Sequence, residues 1–97
     1  MKKTIKITYL KKATKFFKKN SSLLDEKSID ELIVKFVKYK FFDIATSIDF
    51  KELKGNLKGF YRIRKGNVRI IFKIVDSEII IEAIVNDIDF RGNIYDK

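Results

Sequence analysis

The chain has no cysteine, no histidine, no proline and no tryptophan, and it has four glycines and one methionine in 97 residues. Without cysteine there is no disulfide framework and no thiolate chemistry, a composition that fits a reducing cytoplasm. Without cysteine or histidine, a zinc centre and a Ser-His triad are both excluded, and no metal or other cofactor is expected. Without proline, one usual marker of linkers is gone. No repeat and no low-complexity block divides the sequence, so residues 1–97 are expected to form a single domain. No apolar run approaches the length of a membrane span, and no membrane partner is expected. The Met1-Lys2-Lys3 start resembles the charged region of a signal peptide, but no uninterrupted apolar stretch follows it.

What is present is apolar bulk and positive charge. Hydrophobic residues make up 45% of the chain and aromatics 13%, enough for a modest core and too much for disorder. The formal net charge of +9 points to an acidic partner. The excess lies in the first part: residues 1–58 carry fifteen lysines against seven acids, and residues 59–97 carry seven basic and six acidic residues. An AT-rich coding bias also enriches lysine, so lysine number alone says little. Arginine is scarce and placed. Three of the four arginines, Arg62, Arg64 and Arg69, fall within twenty-two residues, Leu53 to Ile74, and the fourth is Arg91. The planar guanidinium fork suits phosphate better than the point charge of lysine does.

Periodicity assigns the elements. Thr4–Tyr9 alternates, with Ile5, Ile7 and Tyr9 on one face, and reads as a strand. Lys11–Lys19 reads as a short helix with Ala13, Phe16 and Phe17 inside, broken at Asn20-Ser21-Ser22. Ser28 and Glu31 form a capping box that predicts a helix from Ser28 to about Phe42. Its inward stripe is Ile29, Leu32, Ile33, Phe36 and Val37. Residues 43–58 are undecided, with Ile44, Ile48, Phe50, Leu53 and Leu57 expected as core plugs. Phe60–Arg64, Val68–Val75 and Glu78–Asn86 read as a meander whose first turn is Lys65-Gly66-Asn67. Tyr9, Tyr39 and Tyr61 read as core or half-buried. The expected fold is α+β: an antiparallel twisted sheet, made of an N-terminal strand plus a C-terminal meander, with two helices packed on one face.

Period two has a consequence for charge. Arg62, Arg64, Arg69 and Lys73 share one sheet face, and the helices take the other. Such a face is a plausible cradle for phosphate. Lys65 in the turn and Lys73 are candidate nucleic-acid contacts. Arg91 and Tyr95 follow the last strand, where tyrosine suits base stacking or proton transfer.

Three segments, YLKKATKFFKK, LKGNLKGFYRIRKGNVRIIFKI and DFRGNIY, resemble the RelE/ParE superfamily of toxins from type II toxin–antitoxin systems. The middle block is the most specific: a Leu-x-Gly step, an aromatic, a basic-Ile-Arg step, a glycine turn and an arginine-led strand. The resemblance implies the RelE-like α+β fold, a cytoplasmic toxin and a cognate antitoxin as partner. It also implies two activities. One branch is a ribosome-dependent mRNA endonuclease that blocks translation, acting without metal and using the RNA 2′-hydroxyl as nucleophile. By position, Arg62, Arg64, Arg69, Arg91 and Tyr95 match its catalytic set, with the ribosome and mRNA as partners. The other, ParE-like branch inhibits DNA gyrase by binding, without a nuclease site. Phe90 stands where many members carry histidine or another base, and Asp87 and Asp89 lie beside the matched positions, which keeps the gyrase reading open together with that of an inactive toxin that only binds its antitoxin.

Overall fold

A computed structural model of the chain describes residues 4–20, 25–77 and 80–90. The elements run β1 (Thr4–Tyr9), α1 (Lys11–Asn20), α2 (Glu26–Phe42), β2 (Asp49–Glu52), a 3-10 turn (Gly55–Leu57), β3 (Phe60–Lys65), β4 (Val68–Asp76) and β5 (Ile80–Phe90). The strands form one sheet in the order β1-β5-β4-β3-β2. This is the α+β class expected. The sheet departs from the expectation in one pairing: β1 runs parallel to β5, and the other three pairs are antiparallel. A two-residue turn cannot join parallel neighbours, so this pair is made by the two ends of the described chain.

Helix α2 begins two residues before the expected start. Asp25 is its cap, and the Asp25 carboxylate accepts the backbone N–H of Ser28 at 3.0 Å. Ser28 is therefore inside the first turn, and the Ser28–Glu31 capping box does not form the boundary. A carboxylate at this position also meets the positive end of the helix dipole. The Asp25 carboxyl is held below its usual range, first by the Ser28 bond. The helix stops at Asp43, whose φ of 61° is left-handed, with its backbone N–H donating to the Lys38 carbonyl. Aspartate tolerates that region better than most residues.

The inward stripe of α2 is buried as its spacing demands, together with Ala13 and Phe16 of α1. These meet Ile63, Val68, Ile70, Phe72, Ile81, Ala83, Val85 and Ile88 from one sheet face. Phe36 is the hub, with ring centroids 4.9–5.1 Å from Phe50, Tyr61 and Phe72. Edge-on and tilted packing of this kind adds to the area buried. Within residues 43–58 the structure contains a strand, β2, that periodicity does not reveal. Phe50 and Ile48 pack on the core, but Ile44 and Leu57 are exposed and do not serve as plugs. Tyr39 is likewise exposed, its ring against Phe50. No helix among the described residues is long and apolar enough to cross a membrane.

Two stability outcomes follow. Phe36→Ala should cost about 3–5 kcal/mol in a denaturant titration, because a buried aromatic is removed from a close-packed site. The second concerns Tyr9, whose hydroxyl donates to Asp30 of α2. Burial first, then the Asp30 bond and charge, push the Tyr9 pKa upward from 10.0. The folded state thus favours the protonated phenol. This contribution is complete below the unfolded pKa and is lost as pH rises beyond it. Stability measured from pH 8 to 11 should fall more steeply for wild type than for Tyr9→Phe. At pH 7 the variant should be weaker by about 1 kcal/mol.

Candidate anion-binding face

The helices cover one sheet face and leave the other to carry the arginines. Strand β3 alternates Phe60, Arg62 and Arg64 outward against Tyr61 and Ile63 inward, and β4 alternates Arg69, Ile71 and Lys73 outward against Ile70 and Phe72. The hairpin register sets Arg64 opposite Arg69 and Arg62 opposite Ile71. It depends on a tight turn at Gly66-Asn67, where Gly66 has φ 58°. Glycine at the first central position suits a type II′ hairpin turn, whose twist matches the strands. Lys65 closes β3 and pairs with Val68, so its parity is that of the helix-covered side and it does not join the arginines. Lys73 is on the arginine face, its Nζ 5.9 Å from the centroid of the Phe60 ring. Arg91 and Tyr95 lie outside the described residues.

The three arginines differ in environment. Arg62 is 9% exposed. Its Nη2 donates to Asp49 Oδ1 at 3.1 Å, and its Nε is buried without a hydrogen-bond acceptor among the described residues. Arg64 is half-exposed and donates from Nε to Asp49 Oδ2 at 2.8 Å. One carboxylate thus bridges two guanidiniums. Sequence reasoning does not single out Asp49. Its only signal is a place on a strand too short and too mixed to be recognised, and the β2–β3 register is what sets it opposite Arg64. The Asp49 carboxyl is held below its usual range, first by the Arg64 hydrogen bond, then by the charges of Arg64, Arg62 and Arg69.

The register extends this into rows across the sheet. Asp49, Arg64, Arg69 and Asp89 occupy successive strands. Lys51, Arg62, Ile71 and Asp87 form the next row, and Asp87 forms an ion pair with Lys12 Nζ at 3.3 Å. Like charges directly opposite, such as Arg64 and Arg69, repel each other, and carboxylates at either end of the row offset that. The result is a compact cationic centre between acidic flanks. Neither Nη of Arg64 has a hydrogen bond among the described residues, so its outward edge is available to an oxyanion. A guanidinium offers N–H donors and no acceptor, so such a group suits charge stabilisation and not proton abstraction.

Comparison with known proteins agrees with this architecture. No family model and no curated protein matches the sequence. Among solved structures, a metal-bound toxin from Helicobacter pylori has a TM-score of 0.69 at 18% identity, covering 93% of this chain and 98% of that one. A YoeB/ParE toxin from Agrobacterium tumefaciens has a TM-score of 0.63 at 19% identity, covering 89% and 98%. The RelB-RelE antitoxin-toxin complex from Methanococcus jannaschii gives 0.52 at 21% identity, covering 92% and 95%.

The Asp49 bridge predicts an acid response. A depressed folded pKa contributes stability above the unfolded value near 3.8, and the contribution is lost as pH falls through the folded value. Asp49→Asn should lower the melting temperature at pH 7 and flatten the loss between pH 5 and 2. An unchanged melting temperature and an unchanged acid limb would show that the bridge contributes nothing. Pairing, topology and chain coverage together give this chain the fold of the RelE/ParE-type toxins.

Proposed function

We propose that this chain is the toxin of a toxin–antitoxin pair and acts as a ribosome-dependent mRNA endonuclease. The observation that carries the reading is the grouping of Arg62, Arg64 and Arg69 on the sheet face that the helices leave uncovered. A guanidinium cluster of this kind offers fixed donors where charge develops on a phosphate under attack. In the proposed reaction the 2′-hydroxyl oxygen of the RNA bonds to the adjacent phosphorus and the bond to the 5′-oxygen breaks. The proton leaves the 2′-oxygen, and the departing 5′-oxygen takes one up. The products are a 2′,3′-cyclic phosphate and a 5′-hydroxyl. The arginines stabilise the pentavalent phosphate, and no covalent intermediate or metal is required. Arg91 and Tyr95 complete the proposed set, with Tyr95 orienting or stacking on the RNA or moving a proton.

Arg62 has a different part from its neighbours in this scheme. Buried and tied to Asp49, it orders the site more than it touches ligand. Arg64 and Arg69 are the direct phosphate contacts. The antitoxin is proposed as a separate small protein, acidic where it meets this face. Several of the similar structures are toxin–antitoxin complexes, which supports a partner of that kind. A second reading, a gyrase inhibitor that binds without cutting, draws support from one observation. Asp49 already occupies both Arg62 and Arg64, and Asp87 and Asp89 flank the centre, which weakens any phosphate site built there.

The two readings separate in one pair of assays. Primer extension on mRNA after induction should show cuts within translated codons, and Arg69→Ala should reduce cutting about a hundredfold, the usual cost of losing one oxyanion donor. Gyrase supercoiling should be unaffected. Intact mRNA with stalled gyrase–DNA complexes would replace the first reading by the second.

A further inference from the structure

The arginine face contains a small cavity that the phosphate chemistry does not use. It has a volume of about 240 Å³ and is lined by Lys12, Leu57, Phe60, Ile71, Asn86 and Asp87. Its floor is Ile71, only 4% exposed although it lies on the face away from the helices. Phe60 and Leu57 supply an aromatic ring and an apolar rim. The volume falls short of a drug-sized pocket and suits one flat ring system.

The polar groups enter from β5. The β4–β5 ladder pairs Ile71 with Asp87 and Phe72 with Val85, so Asn86 is an extra residue, a β-bulge. Bulges re-aim side chains and are frequent next to functional sites. Here the bulge falls where the pocket is lined, and the Asn86 amide makes no hydrogen bond to the described residues. Asp87 stands beside it, its charge offset by Lys12 at 3.3 Å. The bulge also falls where β1 ends: Tyr9 is opposite Val85, so residues 86–90 have no β1 partner, and Lys12 of α1 reaches them instead.

We propose that this cavity receives a nucleobase of the RNA whose phosphate lies on Arg64 and Arg69, and that it favours bases with an amino group beside a ring-nitrogen acceptor. The inference rests on the ribonuclease reading for the identity of the polymer. Its distance fits a single nucleotide: the Ile71 floor is two residues along β4 from Arg69, roughly 7 Å. A primary amide presents a carbonyl acceptor and an NH2 donor side by side. That pattern matches adenine, cytosine and the amino edge of guanine, and the Asp87 carboxylate accepts from the same amino group. Uracil has no amino group and presents carbonyl oxygens to that carboxylate. Phe60 gives the base a surface to stack on, as aromatic residues do in single-strand binding.

The test titrates isotope-labelled protein with AMP, CMP, GMP, UMP and inorganic phosphate, following the Asn86 side-chain amide by NMR. AMP, CMP and GMP should shift it at concentrations about fivefold lower than UMP, the low end for one bidentate contact at an exposed site. Inorganic phosphate should leave it in place. Asn86→Ala, checked for an unchanged fold by thermal melting, should remove the difference among nucleotides and flatten the base composition at mRNA cut sites. Equal responses to all four nucleotides, the same response to phosphate alone, or a base preference kept by Asn86→Ala would overturn the proposal. Cutting whose base composition ignores Asn86 would sink the pocket and leave the ribonuclease reading intact. Base-selective mononucleotide binding without any cutting would keep the pocket and remove that reading.

Discussion

Everything on the arginine face depends on the register of the β3–β4 hairpin. Side chains alternate with period two, so a slip of one residue would exchange the two faces. Arg62 and Arg64 would then enter the aromatic core around Phe36, and Ile63 and Tyr61 would face outward. Two features hold the register against this. The Gly66 turn fixes the loop length at two residues. The core accepts only the apolar parity, Ile63, Ile70 and Phe72, each fully buried. The site is thus the reverse side of the core, and whatever stabilises one orients the other.

Charge on that face is organised by opposition more than by accumulation. A net +9 chain suggests a broad basic surface, yet the arginine centre is bounded by Asp49 on β2 and by Asp87 and Asp89 on β5. A carboxylate between Arg62 and Arg64 holds guanidiniums that would otherwise repel each other and take many rotamers. Order is gained at the cost of field strength. In the proposed function, the outward donors of Arg64, with the Arg69 charge beside them, meet the incoming oxyanion. A centre of this size suits one or two phosphates better than a long backbone track.

The elements with strong periodicity are legible in the sequence. Thr4–Tyr9, the α2 stripe and the Phe60–Val75 hairpin stand where the alternation and the 3.6-residue spacing place them. The shared face of Arg62, Arg64, Arg69 and Lys73 is legible for the same reason. Weak patterns fail. Strand β2 is four residues long with three of them exposed, so its burial signal is too small to detect. The capping box at Ser28 competes with a better acceptor three residues upstream, and the carboxylate of Asp25 wins. Lys65 looks like a member of the basic face because it adjoins Arg64, but adjacency along a strand means opposite faces.

The sequence by itself determined the class of elements, the sidedness of the hairpin and the identity of the cations, since all of these follow from local periodicity and composition. Only the tertiary structure decided the strand pairings outside the meander. The parallel β1–β5 pair joins residues more than seventy positions apart, and the β2–β3 pair sets Asp49 on two arginines. The bulge at Asn86 likewise exists only relative to β4. Such facts are relations between distant segments. They are settled by how one sheet closes over one core, and no window along the chain contains them.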